Sequence, residues 1–299
     1  MTAPAPGLTY SQYVLRQAAI VSALARILVV LLAPYRVLRL GPGLWQSLLT
    51  AVFPHVDRAR TLSASLAREF YDAERLRQLA DGATQQRDNE HQAVPAGRDD
   101  PPRSRHPVDL PGYDPRWLAE SLEPHRAALS LPNASATALA QVVSIAAKHA
   151  EDAGRKTTLR GIKDDKEAVG WARVAGGGES CAFCTMLISR GPVYLYASTA
   201  GLDTDDFTAG QAAKKLVKSG DSTLVDELMT RWHPHCDCKV VPVFRLSAWS
   251  GRDAYLEAQS LWETATKGLR GKDALNALRR ALYAGERDED VPVPLRPAA

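Results

Sequence analysis

Two short clusters of sulfur and imidazole groups stand out in a chain otherwise poor in reactive side chains. Cys181-Ala182-Phe183-Cys184 follows the glycine run Gly176-Gly177-Gly178, and His233-Pro234-His235-Cys236-Asp237-Cys238 precedes an apolar run from Lys239 to Phe244. A CxxC on a tight turn aims both sulfurs at one point. A CxC entering a strand puts both sulfurs on one face, because strand side chains alternate. Four ligands so arranged suit tetrahedral zinc. The candidate metal set is therefore Cys181, Cys184, Cys236 and Cys238, with His233 or His235 as a substitute ligand or a hydrogen-bonding partner of the ligands. The gap between the clusters is longer than in ordinary zinc ribbons. Disulfides, a catalytic thiol and unligated buried cysteines stay open beside the favoured structural zinc.

Other chemistries have less to work with. A cysteine nucleophile needs its base within hydrogen-bond reach, and Cys184 with His233 or His235 is the pairing on offer, but zinc would consume the same thiolate. There is no GxSxG turn for serine chemistry. The glycine run lacks the Lys and Ser/Thr of a phosphate loop and also the GxGxxG spacing. His149 lies four residues after Ile145, on the same helix face, which fits a packed core histidine better than a catalytic one. Lys214, Lys215 and Lys218 form the best basic patch, on a helix expected from about Asp205 to Lys218. A solvated helix end is favoured there over DNA contact. With 37 Lys and Arg against 34 Asp and Glu, the net charge of +3 is too small for a strongly attractive field toward nucleic acid.

The elements that must position these groups are mostly helical. The 299 residues are 45% hydrophobic and 24% charged, enough for one large domain or two modest ones. Only 7% are aromatic, and Ala and Leu recur, so the expected class is α+β, predominantly α-helical, with a small β region around the Cys/His cluster. Residues 1–80 read as an N-terminal helical region: one helix from Thr9, a second over Leu44 to Phe53 stopped by Pro54, and a third over His55 to Leu79. The first helix is apolar nearly all round, which implies burial on several sides or cover by a partner. Its most apolar stretch, Ala18 to Ala33, holds Arg26 and falls short of the roughly 20 residues that span a bilayer, so no membrane association is expected. The first residues lack the basic stretch of a secretory signal. Residues 81–112 read as a Pro-rich flexible linker or arm. Residues 113–284 read as an α+β domain. Its helices start at Pro115, run over Leu139 to His149 before Gly154, and cover Asp164 to Val174. Strands follow at Val193 to Tyr196 and Lys239 to Phe244, then helices at Asp253 to Thr266 and Lys272 to Tyr283. Residues 285–299 read as a disordered tail.

A family resemblance rests on Gly170-Trp171-Ala172-Arg173-Val174, Ser180-Cys181-Ala182-Phe183-Cys184, Gly191-Pro192-Val193-Tyr194, His233-Pro234-His235-Cys236-Asp237-Cys238 and Val241-Pro242-Val243-Phe244. Arg155-Lys156-Thr157-Thr158 and Arg68-Glu69-Phe70-Tyr71-Asp72 add to it, so it covers roughly residues 55 to 284. The pattern resembles the MuF-like minor head proteins of tailed bacteriophages, and within them the actinobacteriophage subgroup often labelled capsid maturation protease. The resemblance implies a low-copy minor capsid protein inside the virion head, assembled in the host cytoplasm. Its implied partners are the portal and capsid proteins, and its implied role is in head assembly, DNA packaging or delivery. The broader family's HPxCRC motif carries Asp237 here in place of its arginine, which removes any role of that arginine in contacting DNA or a neighbouring subunit. No catalytic residues of the family can be matched to positions in this sequence. Assembly is therefore the favoured role and capsid maturation protease the alternative.

The segment 81–112 has too few apolar residues to offset chain entropy. Limited trypsin digestion of the full chain is expected to cut at Arg98, Arg103 or Arg105 before it cuts between Leu62 and Leu79. Equal rates would refute the linker assignment.

Overall fold

The computed structural model describes residues 7–37, 40–89, 112–129, 136–177, 180–192, 232, 236 and 238–283. Helix α1 (Tyr10–Leu32) starts at a capping box. The Thr9 hydroxyl accepts from the Gln12 N–H, and the Gln12 side chain accepts from the Thr9 N–H. One stripe of α1 is buried: Tyr13, Gln17, Leu24, Leu28 and Leu32. The opposite stripe is not, with Leu15 70% and Val30 75% exposed, and Ile27 and Val29 exposed as well. The expectation of burial on several sides is thus met on one side only. The segment Tyr10–Tyr35 spans 26 residues at mean hydropathy 2.1, long and apolar enough by length and composition to cross a membrane. The expected stretch beginning at Ala18 was shorter than this.

Helix α2 (Pro42–Asn89) is continuous and contains Pro54, correcting the expected break there. Pro54 has no N–H to donate to the Thr50 carbonyl, but it sits on the exposed side, where that carbonyl can turn to water. On the other side Val52 and Val56 are fully buried and hold the helix in register across the proline. The helix also runs past the expected end at Leu79. After α3 (Pro115–Leu122), capped by Asp114, Pro124 falls in a short 3-10 turn, Glu123–His125, that leads into α4 (Arg126–Leu129).

Helix α5 (Ala136–Asp164) passes straight through Gly154, where a helix end was expected. The reason is close packing. A Cβ at Gly154 would lie 2.7 Å from the Ser63 hydroxyl and 3.1 Å from the Ser63 carbonyl, and one at Gly161 would lie 3.0 Å from the Tyr71 ring. These two glycines, seven residues apart on one face, let α5 cross α2 almost backbone to backbone. Ala67, Ala146, Ala150 and Ala153, all fully buried, extend the line of small side chains. Helix propensity is traded for proximity here.

The expected helix over Asp164 to Val174 is replaced by strand β1 (Gly170–Val174), which pairs antiparallel with β2 (Lys239–Val243). Trp171, Ala172 and Val174 need burial on both faces of a sheet, and every residue of both strands is buried. Tyr13, Phe70 and Trp249 pack with Ala172, Val174, Val241 and Val243 on one face. Trp171 and Val240 join Cys184, Ile188, Cys236 and Cys238 on the other. Among the described residues each strand is an edge, which tolerates Pro242 in β2. The fully buried Gln78 of α2 donates to the Pro242 carbonyl and accepts from the N–H groups of Phe244 and Arg245. Helix α6 (Ala182–Ile188) then packs with α7 (Arg252–Ala265) and α8 (Gly271–Leu282). The expected strand Val193 to Tyr196, the helix Asp205 to Lys218 and the tail lie outside the described residues.

Gly154→Val is expected to destabilise the chain by about 2 kcal/mol or more, because the crossing has no room for the added methyls. Gly43→Ala, where a Cβ would meet nothing within 4 Å, is expected to stay within about 0.5 kcal/mol of the parent. Urea unfolding of both variants checks the pair.

Candidate metal centre

Three of the six candidate ligands converge. The sulfurs of Cys184 on α6 and of Cys236 and Cys238, which lead into β2, all lie within 4.8 Å of one another, and Cys184 and Cys236 are 3.8 Å apart. All three residues are buried, at 1%, 5% and 0% exposure. Two thiolates at about 2.3 Å from a tetrahedral zinc would be separated by about 3.8 Å, so the Cys184–Cys236 spacing fits that geometry. No disulfide joins the four cysteines.

Cys181 sits at the N-cap of α6, where its sulfur accepts from the Cys184 N–H at 3.5 Å. The CxxC therefore straddles the first turn of a helix. Without a metal, hydrogen bonding to the sulfurs of Cys181, Cys236 and Cys238 pushes the Cys184 thiol far up. A bound divalent cation would reverse that preference, since it binds the deprotonated sulfur. His233, His235, Lys214, Lys215 and Lys218 lie outside the described residues.

The site's backbone is held from α5. Arg155, 2% exposed, donates to the Cys236 carbonyl at 2.9 Å and to the Cys238 carbonyl at 3.1 Å through one nitrogen and 3.3 Å through another. Its charge is met by Glu151 and Asp152, both at 3.0 Å. Lys239 of β2 reaches Glu151 at 2.7 Å, and Lys148 reaches Asp152 at 2.7 Å. The guanidiniums of Arg155 and Arg173 lie 4.4 and 3.8 Å from the centroid of the Trp232 ring. Sequence reasoning assigned none of these residues a role in the site. The available signal was Arg155 placed four residues after Glu151 and three after Asp152, the spacings at which helix side chains pair.

The profile of the VG15 protein family matches residues 9–264. The chain belongs to the VG15 family. Among the family's curated relatives, the Gene 15 protein of Mycobacterium phage D29 is 36% identical over 262 residues, covering 81% of this chain and 87% of the relative. The Gene 15 protein of Mycobacterium phage L5 is 32% identical over 311 residues, covering 93% of this chain and 97% of the relative. No solved structure matches the chain. The resemblance read from the sequence is met at the level of a phage protein family.

In this VG15 family chain, His149 is a structural residue, as its helix position implied. The Ser121 hydroxyl donates to the Trp117 carbonyl at 2.8 Å, so its oxygen accepts from His149 Nε2–H at 2.9 Å. That assignment leaves Nδ1 to accept from the Tyr113 hydroxyl at 2.9 Å. The Ser121 proton points away from the imidazole, so the pair is not an activated nucleophile and its base. The Tyr113 ring is covered by Phe53, stacked at 5.4 Å, and by the Arg60 guanidinium at 4.0 Å.

Burial, with Lys148 next, pushes the His149 pKa down to about 4. In the unfolded chain the imidazole takes a proton near its ordinary value of about 6.5. Stability from this group is present above that value and is lost as pH falls from about 6.5 to 4, on the order of 3 kcal/mol in all. His149→Gln is expected to flatten the stability profile across that window in urea titrations, and an unchanged slope would contradict the assignment.

Arg155→Ala is expected to cost about 3 kcal/mol, since it leaves two buried carbonyls without a donor and takes one of two cationic partners from each of Glu151 and Asp152. Arg155→Lys should recover less than half of that, because an ammonium cannot fork to both carbonyls. Denaturant unfolding of the two variants measures the difference.

Proposed function

We propose that this VG15 family chain is a MuF-like minor capsid protein that works by assembly, with the cysteine cluster binding a structural zinc ion. The observation that carries the reading is the burial of Cys184, Cys236 and Cys238. A thiol nucleophile or a catalytic metal must meet substrate, and these sulfurs are closed off by α6, β2 and the Trp171, Trp232 and Phe244 side chains. When bound, zinc supplies a crosslink between α6 and β2. The residues of the chain supply everything else, with Arg155 fixing the ligand backbone and Trp171 and Phe244 excluding water.

The exposed Ile27, Val29 and Val30 near the end of α1 support association with another protein surface, because exposed large apolar side chains grouped on one turn mark contact sites. The portal and the inner capsid shell are the partners this reading assigns. Lys214, Lys215 and Lys218 are its candidate DNA contacts. The 113–284 unit, on this reading, is carried on an N-terminal helical region with which it shares its core.

Mass spectrometry of purified virions is the test. The chain is expected to be retained at low copy, with the major capsid protein the same length whether or not Cys184 is intact. A Cys184→Ala protein that folds and assembles heads but leaves uncut a capsid protein that the parent shortens would replace this reading with the maturation protease. Purified chain should carry about one zinc and protect its four thiols until a strong chelator is added.

A further inference from the structure

We propose that the exposed face of α1 pairs antiparallel with the same face of a second copy of this chain. The inference rests on the assembly reading above for α1 being a protein contact, and it names the occupant. Leu15, Ala19, Ser22, Arg26, Val29 and Ala33 are all exposed and recur at alternating intervals of four and three residues. That is the spacing of a coiled-coil seam. The seam lies diametrically opposite Tyr13, Gln17, Leu24 and Leu28, which are buried toward the core. Helix α1 thus has two packing faces, and the chain's own core covers one of them.

The order of side chains along the seam selects a second copy. Turned end for end about the point midway between Ser22 and Arg26, the seam sets Leu15 against Ala33, Val29 against Ala19 and Arg26 against Ser22, while the flanking Val30 meets Ala18. Every large side chain meets a small one, which lets two helices approach to about 8 Å. A surface that complements its own reverse is what a two-fold contact requires, and an unlike partner imposes no such symmetry. Parallel pairing would instead set Arg26 on Arg26 and leave Ala19 against Ala19. Hydrocarbon is a poor occupant although Tyr10–Tyr35 is long and apolar enough to cross a bilayer, because Arg26 stands in the middle of the exposed face and the opposite face is held by the core. In the antiparallel pair Arg26 passes over the short Ser22 and carries its charge to water. At 1.5 Å per residue the seam from Leu15 to Ala33 is about 27 Å long, and a helix face of that length and about 10 Å width buries on the order of 500 Å² on each copy, about 1,000 Å² in the pair. That area reaches the lower bound for a specific interface and fits a reversible dimer with a micromolar dissociation constant.

Sedimentation equilibrium of the full chain tests the proposal together with disulfide crosslinking. The parent should pass reversibly from monomer to dimer across the micromolar range. Ala19→Glu, which places a charge against Val29 of the second copy, should raise the dissociation constant by about tenfold or more with the urea midpoint unchanged. Oxidised with copper phenanthroline, a mixture of Ala19→Cys and Val29→Cys chains should crosslink to each other. Neither variant alone should do so beyond the parent with its native cysteines, because each position lies about 15 Å along the helix axis from its own counterpart in the antiparallel pair. Crosslinking of either variant alone as fast as the mixture overturns the proposal, as does a parent that stays monomeric or a dimer unmoved by Ala19→Glu. A monomeric chain that binds vesicles of phosphatidylethanolamine and phosphatidylglycerol, and loses that binding on Ala19→Glu, gives the face to lipid instead. If Ala19→Glu does not fold, the crosslinking pair decides alone. A monomeric chain that is still retained in virions overturns this contact only, whereas a chain absent from virions overturns the assembly reading itself.

Discussion

The Arg155 guanidinium is the constraint on which the cysteine site and the sheet both depend. It reaches from α5 to the carbonyls of Cys236 and Cys238, the two residues that lead into β2, and so fixes where the strand begins. A backbone segment that enters a strand through two cysteines has no helix or ladder of its own to satisfy those carbonyls. Once they are held, β2 can pair with β1, and the alternation of the strand turns Cys236 and Cys238 toward Cys184. Glu151 and Asp152 keep the buried charge neutralised, and Lys239 extends the network into the strand. The fully desolvated fork is therefore positioning and pairing at once, which a lysine cannot reproduce.

Reaching the strand from α5 requires α5 to lie close to α2, and small residues make that approach. Gly154 and Gly161 face Ser63 and Tyr71 without room for a methyl group, and Ser63 in turn donates to Gln17 of α1. Tyr71 donates to Asp165, which also pairs with Arg75 at 2.6 Å, so the far end of the crossing is pinned by charge. On the other side of the sheet Glu74 accepts from the Ser250 N–H and hydroxyl, and Gln78 covers the end of β2. Helix α2 thus supplies polar clamps at one side and apolar packing at the other, which explains why a 48-residue helix is kept intact through a proline.

Much of this was legible in sequence. The helical class, the strand Lys239 to Phe244, the cap at Asp114 and the last two helices follow from periodicity and capping chemistry that act locally. The convergence of Cys184 with Cys236 and Cys238 was readable from spacing, because CxxC and CxC each constrain sulfur direction. What failed was wherever tertiary contact outweighed a local signal. Pro54 and Gly154 are helix breakers by propensity, yet both lie inside helices because Val52, Val56, Ser63 and Ala67 hold the chain across them. Trp171 to Val174 read as the end of a helix over Asp164 to Val174, because a five-residue strand buried on both faces has no alternation to announce it without its partner. Arg155 and Arg173 stood only within the segments that carry the family resemblance, and the fold shows that their neighbours include carbonyls and carboxylates for Arg155 and the Trp232 indole for both.

The central proposal is that the buried cysteine cluster of this VG15 family chain holds a structural metal through its thiolates. Zinc K-edge X-ray absorption on the full chain, purified without added metal, tests it most directly. The account expects a zinc first shell of four sulfurs at about 2.3 Å. Protein that is folded yet carries no zinc, or zinc bound by oxygen and nitrogen alone, would contradict it.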